Sequence, residues 1–557
     1  MKKRLVALFM AVSMVALTAC GSAASSTEGT DAAANTSSEA DATGETAAGN
    51  KILSVQIGPD PETIDPALNS AVDGGNMLLH SFECLLTIDQ EGNIAPGQAE
   101  TWEVSEDGLT WTFNLREGLK WSDGSPLTAN DFVYSWKRVC DPLTAAPYAE
   151  TVLGMVAGYE EAIEGNLDAL QVVAQDDLTL VVTLSNPCPY FDSLAAFATL
   201  SPVQQATIEA NGDAWAVSPE TYISNGSFYV SEWVPGSHIL MSKNPNYWNA
   251  DAIKLDGIKF NLIEDANASY SAYQTGEVLM IKDVPTEEIP SLEGNPEFYV
   301  DSIIGTYYIS LNTEREPFNN PLVRKALSLA IDREYVAGTI MQGTYSAAGN
   351  FMGPGWIDAQ GQFIDNANGG QPYIDNSNYE ANLEEAKKLL AEAGYPNGEG
   401  FPAISYSTND SGYHIPVAEY LQQAWGELGI DVSVDSVEWA SFTPMRRNGE
   451  YDAARNGWVG DYADPSNMLE LLYSTNGNND GKYNNPDFDA AIEASRTTTD
   501  AAARFEALHT AEDILMEDTA CIPVAYYNDF WLQSEKITGM WHSAYGYWHF
   551  MYADIVE

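Results

Sequence analysis

The segment PVAEYLQQAWGELGIDVSV, residues 416–434, joins a helical pattern directly to a strand pattern. Apolar side chains recur at helical spacing from Val417 to Leu428, and Gly429 then ends the pattern, as glycine often does at a helix C-terminus. Residues 430–434 alternate between apolar and polar side chains, which is typical of a strand with one buried face. A helix followed by a strand, repeated along a chain, predicts an α/β fold with a partly parallel sheet.

Helical and strand patterns of apolar residues also occur on both sides of this segment. Short runs rich in β-branched and aromatic residues predict strands, and apolar residues at helical spacing predict helices. Capping signals support two of the helices, one preceded by Thr128 and one followed by Gly394. The predicted strands are residues 111–115 and 178–184, and the predicted helices are residues 131–139, 321–336 and 383–393.

Charge is strongly unbalanced, with 80 acidic and 25 basic residues and a formal net charge of −55. Binding to nucleic acid or to an anionic membrane surface requires clustered Lys and Arg. The composition therefore argues against a nucleic-acid partner. We interpret most of the carboxylates as solvated surface.

Motifs for catalysis are absent. The sequence contains no nucleophile elbow, zinc-protease helix, Walker loop or dinucleotide fingerprint. His542 and His549 are the closest pair of histidines, and their aromatic neighbours favour packing over metal ligation. We predict no cofactor, no metal and no enzymatic activity, although a distant carboxylate pair of a glycosidase would leave no local signature.

Four cysteines of the chain body are isolated and lack C-x-x-C spacing. A large exported protein does not need disulfides as small secreted domains do. Two interpretations stay open: buried free thiols, which we favour, or one disulfide. The four are Cys84, Cys140, Cys188 and Cys521.

The N-terminus predicts export and lipid attachment. Lys2–Arg4 carries positive charge, and Leu5–Leu17 is an apolar run. That run is shorter than the ~20 apolar residues of a membrane span but suits a signal peptide. LTACG, residues 17–21, resembles a bacterial lipobox. We therefore predict a lipoprotein signal peptide at residues 1–19 and lipidation of Cys20, with an ordinary signal peptide as the alternative.

The segment after the lipobox has the composition of a tether. Residues 21–50 contain no aromatic residue and no Val, Ile or Leu. Such a segment cannot bury enough apolar surface to offset its ordering entropy. We predict that residues 20–50 comprise the lipidated cysteine and a disordered tether, and that ordered structure begins near Lys51. The mature chain would then be extracytoplasmic, anchored to the outer face of the bacterial cell membrane.

Four sequence blocks together resemble the extracellular solute-binding proteins of family 5, the oligopeptide-binding (OppA-type) proteins of ABC transporters. They keep the family's order and spacing from about residue 51 to the end. The blocks are GLKWSDG with LTANDFVYSWKR (118–124 and 127–138), NGSFYVSEW with KNPNYWN (225–233 and 243–249), GTYY with PFN and VRKA (305–308, 317–319 and 323–326), and YDAARNGWVGDYADP (451–465).

The resemblance implies an α/β, periplasmic-binding-protein-like fold of type II (cluster C). Two lobes would close on a ligand by a hinge motion. Three domains are implied, the first of them discontinuous. Domain I would comprise residues 51–82, 205–304 and 529–557, domain II residues 83–204, and domain III residues 305–528.

The implied function is a non-catalytic one. A family member of this type captures short oligopeptides and delivers them to the transmembrane permease of an ABC transporter, which is driven by cytoplasmic ATPases. We expect a monomer. The alternatives are the same fold with a dipeptide, oligosaccharide, nickel chelate or haem as its cargo, or a peptide-pheromone receptor.

The resemblance also implies a ligand site. Asp461 falls where family members bind the peptide's α-ammonium, and Arg455 falls where an arginine meets the carboxylate of short peptides. His414 and Arg446 match further positions near the peptide's C-terminal end. Positions that flank the peptide backbone near its N-terminus are matched by Val72, Tyr148, Gly457 and Trp458.

Purely structural roles stay open for several of these residues. Asp461 could cap the turn before Pro465, and Arg455 could belong to an internal ion pair. Tyr148 and Trp458 could be core aromatics.

The chain also departs from some relatives. A lysine that these relatives use near the C-terminus of longer peptides is replaced by Ile340, so no peptide length is predicted. A disulfide of some relatives is absent, because Gly305 and Val459 occupy its two positions.

Overall fold

The computed structural model describes residues 51–409, 412–462 and 464–556. The predicted signal peptide (1–19), the lipidation site at Cys20 and the predicted tether (20–50) lie outside the described residues. Within the described part, no helix is both long and apolar enough to cross a membrane.

A mixed sheet of eleven strands runs through the molecule. Its order across the sheet is Val432–Ser436, Ile404–Thr408, Ala453–Val459, Phe298–Leu311, Cys521–Gln533, Met280–Ile281, Ile52–Gln56, Gly257–Asn261, His238–Lys243 and Phe228–Val234, with Ser346–Ala347 paired to Cys521–Gln533. Parallel and antiparallel pairs both occur. The prediction of an α/β fold with a partly parallel sheet is therefore confirmed.

A second sheet of four antiparallel strands lies within the N-terminal part of the chain. Short two-stranded ribbons complete the β-structure. The four strands are Ala99–Val104, Thr110–Leu115, Thr179–Thr183 and Val172–Asp176. The ribbons are Leu86–Ile88 with Ile94–Pro96, Ile357–Asp358 with Gly361–Gln362, Ile537–Thr538 with Asp554–Ile555, and Trp541–His542 with Trp548–His549.

Helices cover both sheets. The α-helices are Val72–Ser81, Ala129–Cys140, Ala149–Leu153, Tyr159–Ile163, Phe191–Ala195, Gln205–Asn211, Ala266–Thr275, Ile289–Leu292, Pro321–Leu329, Arg333–Tyr335, Phe363–Asn366, Tyr379–Glu392, His414–Gly426, Trp439–Arg447, Ser466–Leu469, Pro486–Thr497 and Ala501–Asp518. Short 3₁₀ turns occupy Leu167–Ala169, Ala198–Leu200, Gly212–Ala216, Ala250–Ala252, Ala367–Gly370, Asn376–Asn378, Pro396–Gly398 and Glu470–Leu472, and one π-helical turn occupies Val336–Ile340.

Local sequence signals locate the few elements that were predicted from them, apart from the length of one helix. The Thr128 backbone N–H donates to the Asp131 carboxylate at 2.7 Å, forming the capping box that starts the helix Ala129–Cys140. The helix His414–Gly426 leads through Gly429, whose φ is +81°, into the strand Val432–Ser436. That strand pairs in parallel with its neighbour, as the helix–strand pattern predicts.

One predicted helix, residues 321–336, is wrong in its length. The helix ends at Leu329, and a new one begins at Arg333. The buried Arg333 guanidinium donates to the carbonyl oxygens of Ser328, Ile331 and Pro523, which holds the chain in this break. The buried Arg333 charge needs backbone acceptors, and this requirement interrupts the helix that the spacing of apolar residues predicts.

The apolar interior falls into several clusters. The largest includes Leu53, Trp136, Phe228 and Trp548, and another includes Tyr307, Val323, Trp425 and Ile522. All four cysteines of the described part are buried and unpaired, in agreement with the interpretation as free thiols. The implied boundaries of domains I, II and III stay a prediction.

The two C-terminal histidines lie on paired strands and pack against aromatic rings. His549 stacks on Trp541 with ring centroids 3.4 Å apart, and His542 lies 4.9 Å from Trp531. Their interpretation as packing residues is confirmed. Within the ranges described, no group of three or more His, Cys, Asp or Glu side chains is arranged to hold a metal ion.

Candidate ligand-binding site

The strand Ala453–Val459 carries the centre of the candidate site. It pairs antiparallel with Phe298–Leu311, so that Arg455 lies opposite Ile309 and Gly457 opposite Tyr307. Side chains alternate between the two faces of a strand, which places Arg455 and Gly457 on one face. The chain leaves the sheet after Val459, and Asp461 follows at once.

Asp461 holds its carboxylate between two neutral donors. The Tyr148 hydroxyl donates to Oδ1 at 3.1 Å, and the Asn467 side-chain amide donates to Oδ2 at 3.2 Å. Tyr148 and Asp461 are 313 residues apart in the chain. Tyr148 and Asp461 were both predicted to belong to the ligand site, and the fold brings them into contact.

The Asp461 carboxylate is poorly solvated. Burial raises the pKa of this carboxyl from its usual 3.8 to about 6, although the hydrogen bonds from Asn467 and Tyr148 act in the opposite direction. No described Lys or Arg forms an ion pair with it. A cation that reaches Asp461 would thus supply the charge that the protein itself leaves out.

Turn capping belongs to a different aspartate. The Ser466 backbone N–H donates to the carboxylate of Asp464 at 3.0 Å, and Arg504 holds the same carboxylate with two hydrogen bonds of 2.7 and 2.8 Å. Among the described residues of this turn, no backbone N–H donates to the Asp461 carboxylate, whose partners are Tyr148 and Asn467.

Asn467 connects Asp461 to Trp458. Its side-chain oxygen accepts hydrogen bonds from the Trp458 indole N–H at 3.0 Å and from the Asp461 backbone N–H at 3.1 Å. Trp458 is also packed against one of the apolar clusters. The sequence patterns gave no signal for Asn467, because an asparagine in the first turn of a short helix has many structural uses.

Tyr547 lies between Asp461 and the helix that begins at Val72. Burial and then the charges of Asp461 and Asp73 raise the pKa of Tyr547. An ideal Cβ at Gly75 would lie 2.6 Å from the Tyr547 ring, so only glycine fits there. Val72 is the first residue of this helix, Val72–Ser81, three residues before Gly75, and its predicted contact with the ligand stays a prediction.

Arg455 lies among tyrosines. Its guanidinium donates to the Tyr527 hydroxyl at 3.1 Å and stands 5.4 Å from the centre of the Tyr307 ring. Its Nε is buried without a hydrogen-bond partner. The groups that act on its charge are phenols rather than any described carboxylate. Arg455 therefore forms no ion pair with any carboxylate of the described residues.

Gly457 allows this arrangement. An ideal Cβ at position 457 would come within 2.0 Å of the Tyr527 hydroxyl oxygen. Any larger residue would displace the tyrosine that accepts the hydrogen bond from Arg455.

His414 completes this end of the site. Its ring centre is 5.6 Å from that of Tyr307, and its Nδ1 has no hydrogen-bond partner. Burial and then the charge of Arg455 lower the pKa of His414 to about 2, so the imidazole is neutral. A ligand oxygen near Arg455 would find a second nitrogen donor here.

Arg446 differs from Arg455. Its guanidinium donates to the Asp480 carboxylate at 2.6 Å and to the backbone oxygen of Arg455 at 3.2 Å. Its charge is thus neutralised within the protein. Its predicted contact with the ligand stays a prediction.

The two departures from relatives also have clear positions. Gly305 and Val459 are cross-strand partners in the central sheet. Ile340 is the last residue of the π-helical turn Val336–Ile340.

The sequence did not single out the tyrosines around Arg455. Tyr307 lies within the GTYY block, but Tyr345, Tyr406 and Tyr527 come from three other segments and carried no signal. They meet only because distant strands and loops converge.

Known proteins resemble this chain over most of its length. The model of the bacterial extracellular solute-binding proteins, family 5, matches residues 93–480. The oligopeptide-binding protein OppA of Bacillus subtilis is 35% identical over 501 residues, which cover 88% of this chain and 90% of the relative.

Solved structures agree with the sequence match. The Haemophilus influenzae OppA complex with the peptide RPPGFSPFR has 32% identity and a TM-score of 0.78, covering 91% of this chain and 99% of that one. The Escherichia coli murein tripeptide binding protein MppA gives 30% identity and a TM-score of 0.81, covering 92% and 99%. An unliganded open form of MppA has 31% identity and a lower TM-score of 0.68, and the match covers 88% of this chain and 94% of that one.

These structures confirm the prediction of an α/β, periplasmic-binding-protein-like fold of type II. The described conformation is also less similar to an open form than to other family structures. From the family model, the relatives and the shared architecture together, the chain belongs to the bacterial extracellular solute-binding proteins of family 5.

Proposed function

We propose that this protein binds short peptides with free termini, the α-ammonium at Asp461 and the carboxylate at Arg455. The observation that carries the proposal is the pair of half-buried, opposite charges whose partners among the described residues are all neutral. A solute with a cation at one end and an anion at the other would satisfy both.

The Asp461 end suits a primary ammonium. A buried carboxylate stripped of water strongly favours a hydrogen-bonding cation. Its two existing partners each contact one oxygen, and a carboxylate offers about four lone-pair positions. Acceptor positions for an ammonium therefore remain.

The Arg455 end suits a carboxylate. A guanidinium presents donors in a planar fork that matches a carboxylate with two hydrogen bonds. The Nε of Arg455 is without a partner, and the neutral His414 is adjacent. Both can donate to the same ligand group.

The separation of the two ends favours short peptides. Arg455 and Asp461 are six residues apart on a strand and its extension, so their Cα atoms lie at most ~20 Å apart. An extended peptide spans ~3.3–3.6 Å per residue. A peptide held at both ends thus has only a few residues.

Thermal unfolding tests the binding. The protein, freed of co-purified ligand by unfolding and refolding, is heated with a pool of tri- to pentapeptides and with the same pool N-acetylated. Ligand at a hundred times its Kd adds ~2.7 kcal/mol of stability. We expect stabilisation by the free pool only; an equal response to both pools would remove Asp461 from its role, and no response would reject peptides as the cargo.

The proposal extends to transport. The protein, anchored through Cys20, would deliver its peptide to an ABC permease outside the cytoplasm. Support comes from the lipobox-like residues 17–21 and from membership of the family. A Cys20→Ser variant should be released from the cells and should not incorporate labelled palmitate, and peptide uptake should fall. Retention of the variant on the cells would contradict the lipid anchor.

A further inference from the structure

The segment that carries Asp461 makes a second contact with the part of the chain that contains the four-stranded sheet. The Tyr462 ring stacks on the Tyr190 ring, with centroids 5.1 Å apart and planes 7° from parallel. The Arg504 guanidinium lies 5.2 Å from the centre of the same Tyr190 ring. Tyr190 is therefore held by two residues that come from a distant part of the chain.

Tyr190 is fixed on its own side by the packing of the four-stranded sheet. It directly precedes the helix Phe191–Ala195. The fully buried Phe191 packs edge-on against Trp111, with centroids 5.3 Å apart, and against Trp136, with centroids 6.2 Å apart. These partners lie on a strand of the sheet and on its covering helix, so Tyr190 moves with them.

Tyr462 reaches away from its own part of the chain. It follows the strand Ala453–Val459 and the site residue Asp461, yet it belongs to the apolar cluster that includes Trp136 and Phe228. Among the described residues from 281 to 530, no other belongs to that cluster. The Tyr462 ring is thus the point at which the Asp461 segment enters the opposite side of the site.

We infer that Tyr190 is a positioning residue for peptide binding, and that its stack on Tyr462 stabilises the closed arrangement of the two lobes. The inference rests on the proposed function, because a peptide is taken to lie at Asp461. Tyr148 donates to Asp461 from the same side as Tyr190. Opening of the site would therefore separate both pairs together, and the stack opposes it.

The Tyr190 ring lies beside the candidate ligand site. A cavity of about 90 Å³ with mostly apolar walls adjoins Asp461. Tyr462 contributes to its wall, whereas Tyr190 and Arg504 do not. A substitution at Tyr190 therefore removes the contact between the two sides and leaves the residues of that wall in place.

The size of the effect follows from the two ring contacts. A stacked aromatic pair and a cation over its ring together shift an equilibrium by about five- to seventyfold. Only the closed arrangement holds a peptide at both ends, so the apparent Kd rises as the closed fraction falls. The loss does not depend on the peptide's side chains, because the contact is made within the protein.

Two substitutions at Tyr190 test the inference. Tyr190→Leu keeps an apolar side chain and removes the ring. Its Kd for Ala-Ala-Ala and for Val-Gln-Leu should rise by the same factor, about five- to seventyfold, and stopped-flow measurements should show the change mainly in the dissociation rate. Tyr190→Phe keeps the ring and should bind both tripeptides as the parent protein does.

Tyr395→Ala is the matched control. It removes a half-buried ring that packs at 5.0 Å on Phe401, within a single segment of the chain, and both Kd values should stay unchanged. Unchanged binding by Tyr190→Leu, or weaker binding of one tripeptide alone, would overturn the inference. Loss of the fold in Tyr190→Leu, seen by urea unfolding, would also overturn it, because the contact would then maintain the fold and not the closed site. Failure of the parent protein to bind either tripeptide would instead reject the proposed function.

Discussion

Two aspartates and two arginines around the strand Ala453–Val459 divide into two kinds. Asp464 is held by Arg504, and Arg446 is held by Asp480, in ion pairs of 2.7 and 2.6 Å. Asp461, three residues before Asp464, has Tyr148 and Asn467 as its side-chain partners within the described ranges. Arg455, nine residues after Arg446, has a tyrosine hydroxyl.

The difference separates structural charges from those available to a ligand. A buried ion pair is complete, and removing one partner leaves an uncompensated buried charge. A buried charge with neutral partners is instead incomplete, and an external group of opposite charge improves it. Each prediction below tests whether these two kinds of charge behave differently.

The largest effect is expected from breaking a complete pair. Asp464→Asn leaves the Arg504 guanidinium, whose side chain is 4% exposed, without its counter-ion. The free energy of unfolding in urea should fall by ~3–5 kcal/mol. A loss below ~1 kcal/mol would contradict the comparison, because Asp464 would then contribute no more to stability than an aspartate without an ion pair.

Asp461→Asn should instead affect binding. Removing the carboxylate that faces the ammonium should weaken a free tripeptide by ~2–5 kcal/mol, which is roughly thirty-fold to several-thousand-fold in Kd. The empty protein should lose no stability, since no described cation loses a partner, and at neutral pH it should gain some because a poorly solvated charge is removed. Calorimetry and urea unfolding of the same variant check both statements, and normal affinity would disprove the assignment.

Arg455→Met should weaken peptides with a free carboxylate by ~1.5–3 kcal/mol, or about tenfold to 150-fold. Peptides amidated at the C-terminus should bind the variant and the parent protein alike. Arg446→Met is the matched control. It leaves the buried Asp480 unpaired, so it should lower the free energy of unfolding, which Arg455→Met should not. Equal losses of stability in both variants would contradict the comparison.

Binding should weaken in mild acid. The Asp461 carboxyl of the empty protein has a pKa of about 6, and an ammonium binds its charged form. The Kd should therefore rise about tenfold per pH unit below that pKa.

The free energy of unfolding of the empty protein should instead increase as the pH falls through this range. Its folded carboxyl binds more protons than the unfolded one between about pH 4 and 6, so this group favours folding increasingly as the pH falls. Asp461→Asn should remove both dependences, and a flat Kd in the parent protein would refute the assignment.

Tyr148→Phe should give the smallest effect. It removes one hydrogen bond of 3.1 Å to the Asp461 carboxylate, which contributes ~0.5–1.5 kcal/mol. Because this bond lowers the pKa of Asp461, the variant's pH profile for binding should shift to higher pH. An unshifted profile would show that the hydroxyl does not act on Asp461.

Several secondary-structure elements were predicted correctly from the sequence. The helix and strand of residues 416–434, the capping box at Thr128 and the alternating strands depend on neighbouring residues, so their patterns predict them. The prediction of one helix over residues 321–336 was wrong because the break in it is fixed by a distant contact. The Arg333 guanidinium donates to the carbonyl oxygen of Pro523, which is 190 residues away.

The candidate site was readable only in part. The block YDAARNGWVGDYADP drew attention to Asp461 and Arg455 through its resemblance to a family, and by itself it could not distinguish Asp461 from Asp464. Which aspartate has an internal cation, and which has only Tyr148 and Asn467, is fixed by residues from distant segments.

The sequence by itself therefore determined the α/β class, the solute-binding family and the short list of charged residues. Tertiary structure alone decided which of those charges are paired, that tyrosines surround Arg455, and that a small apolar cavity adjoins Asp461. The physical reason is that periodicity and capping act over a few residues. Burial and charge pairing depend on side chains that folding brings together from hundreds of residues apart.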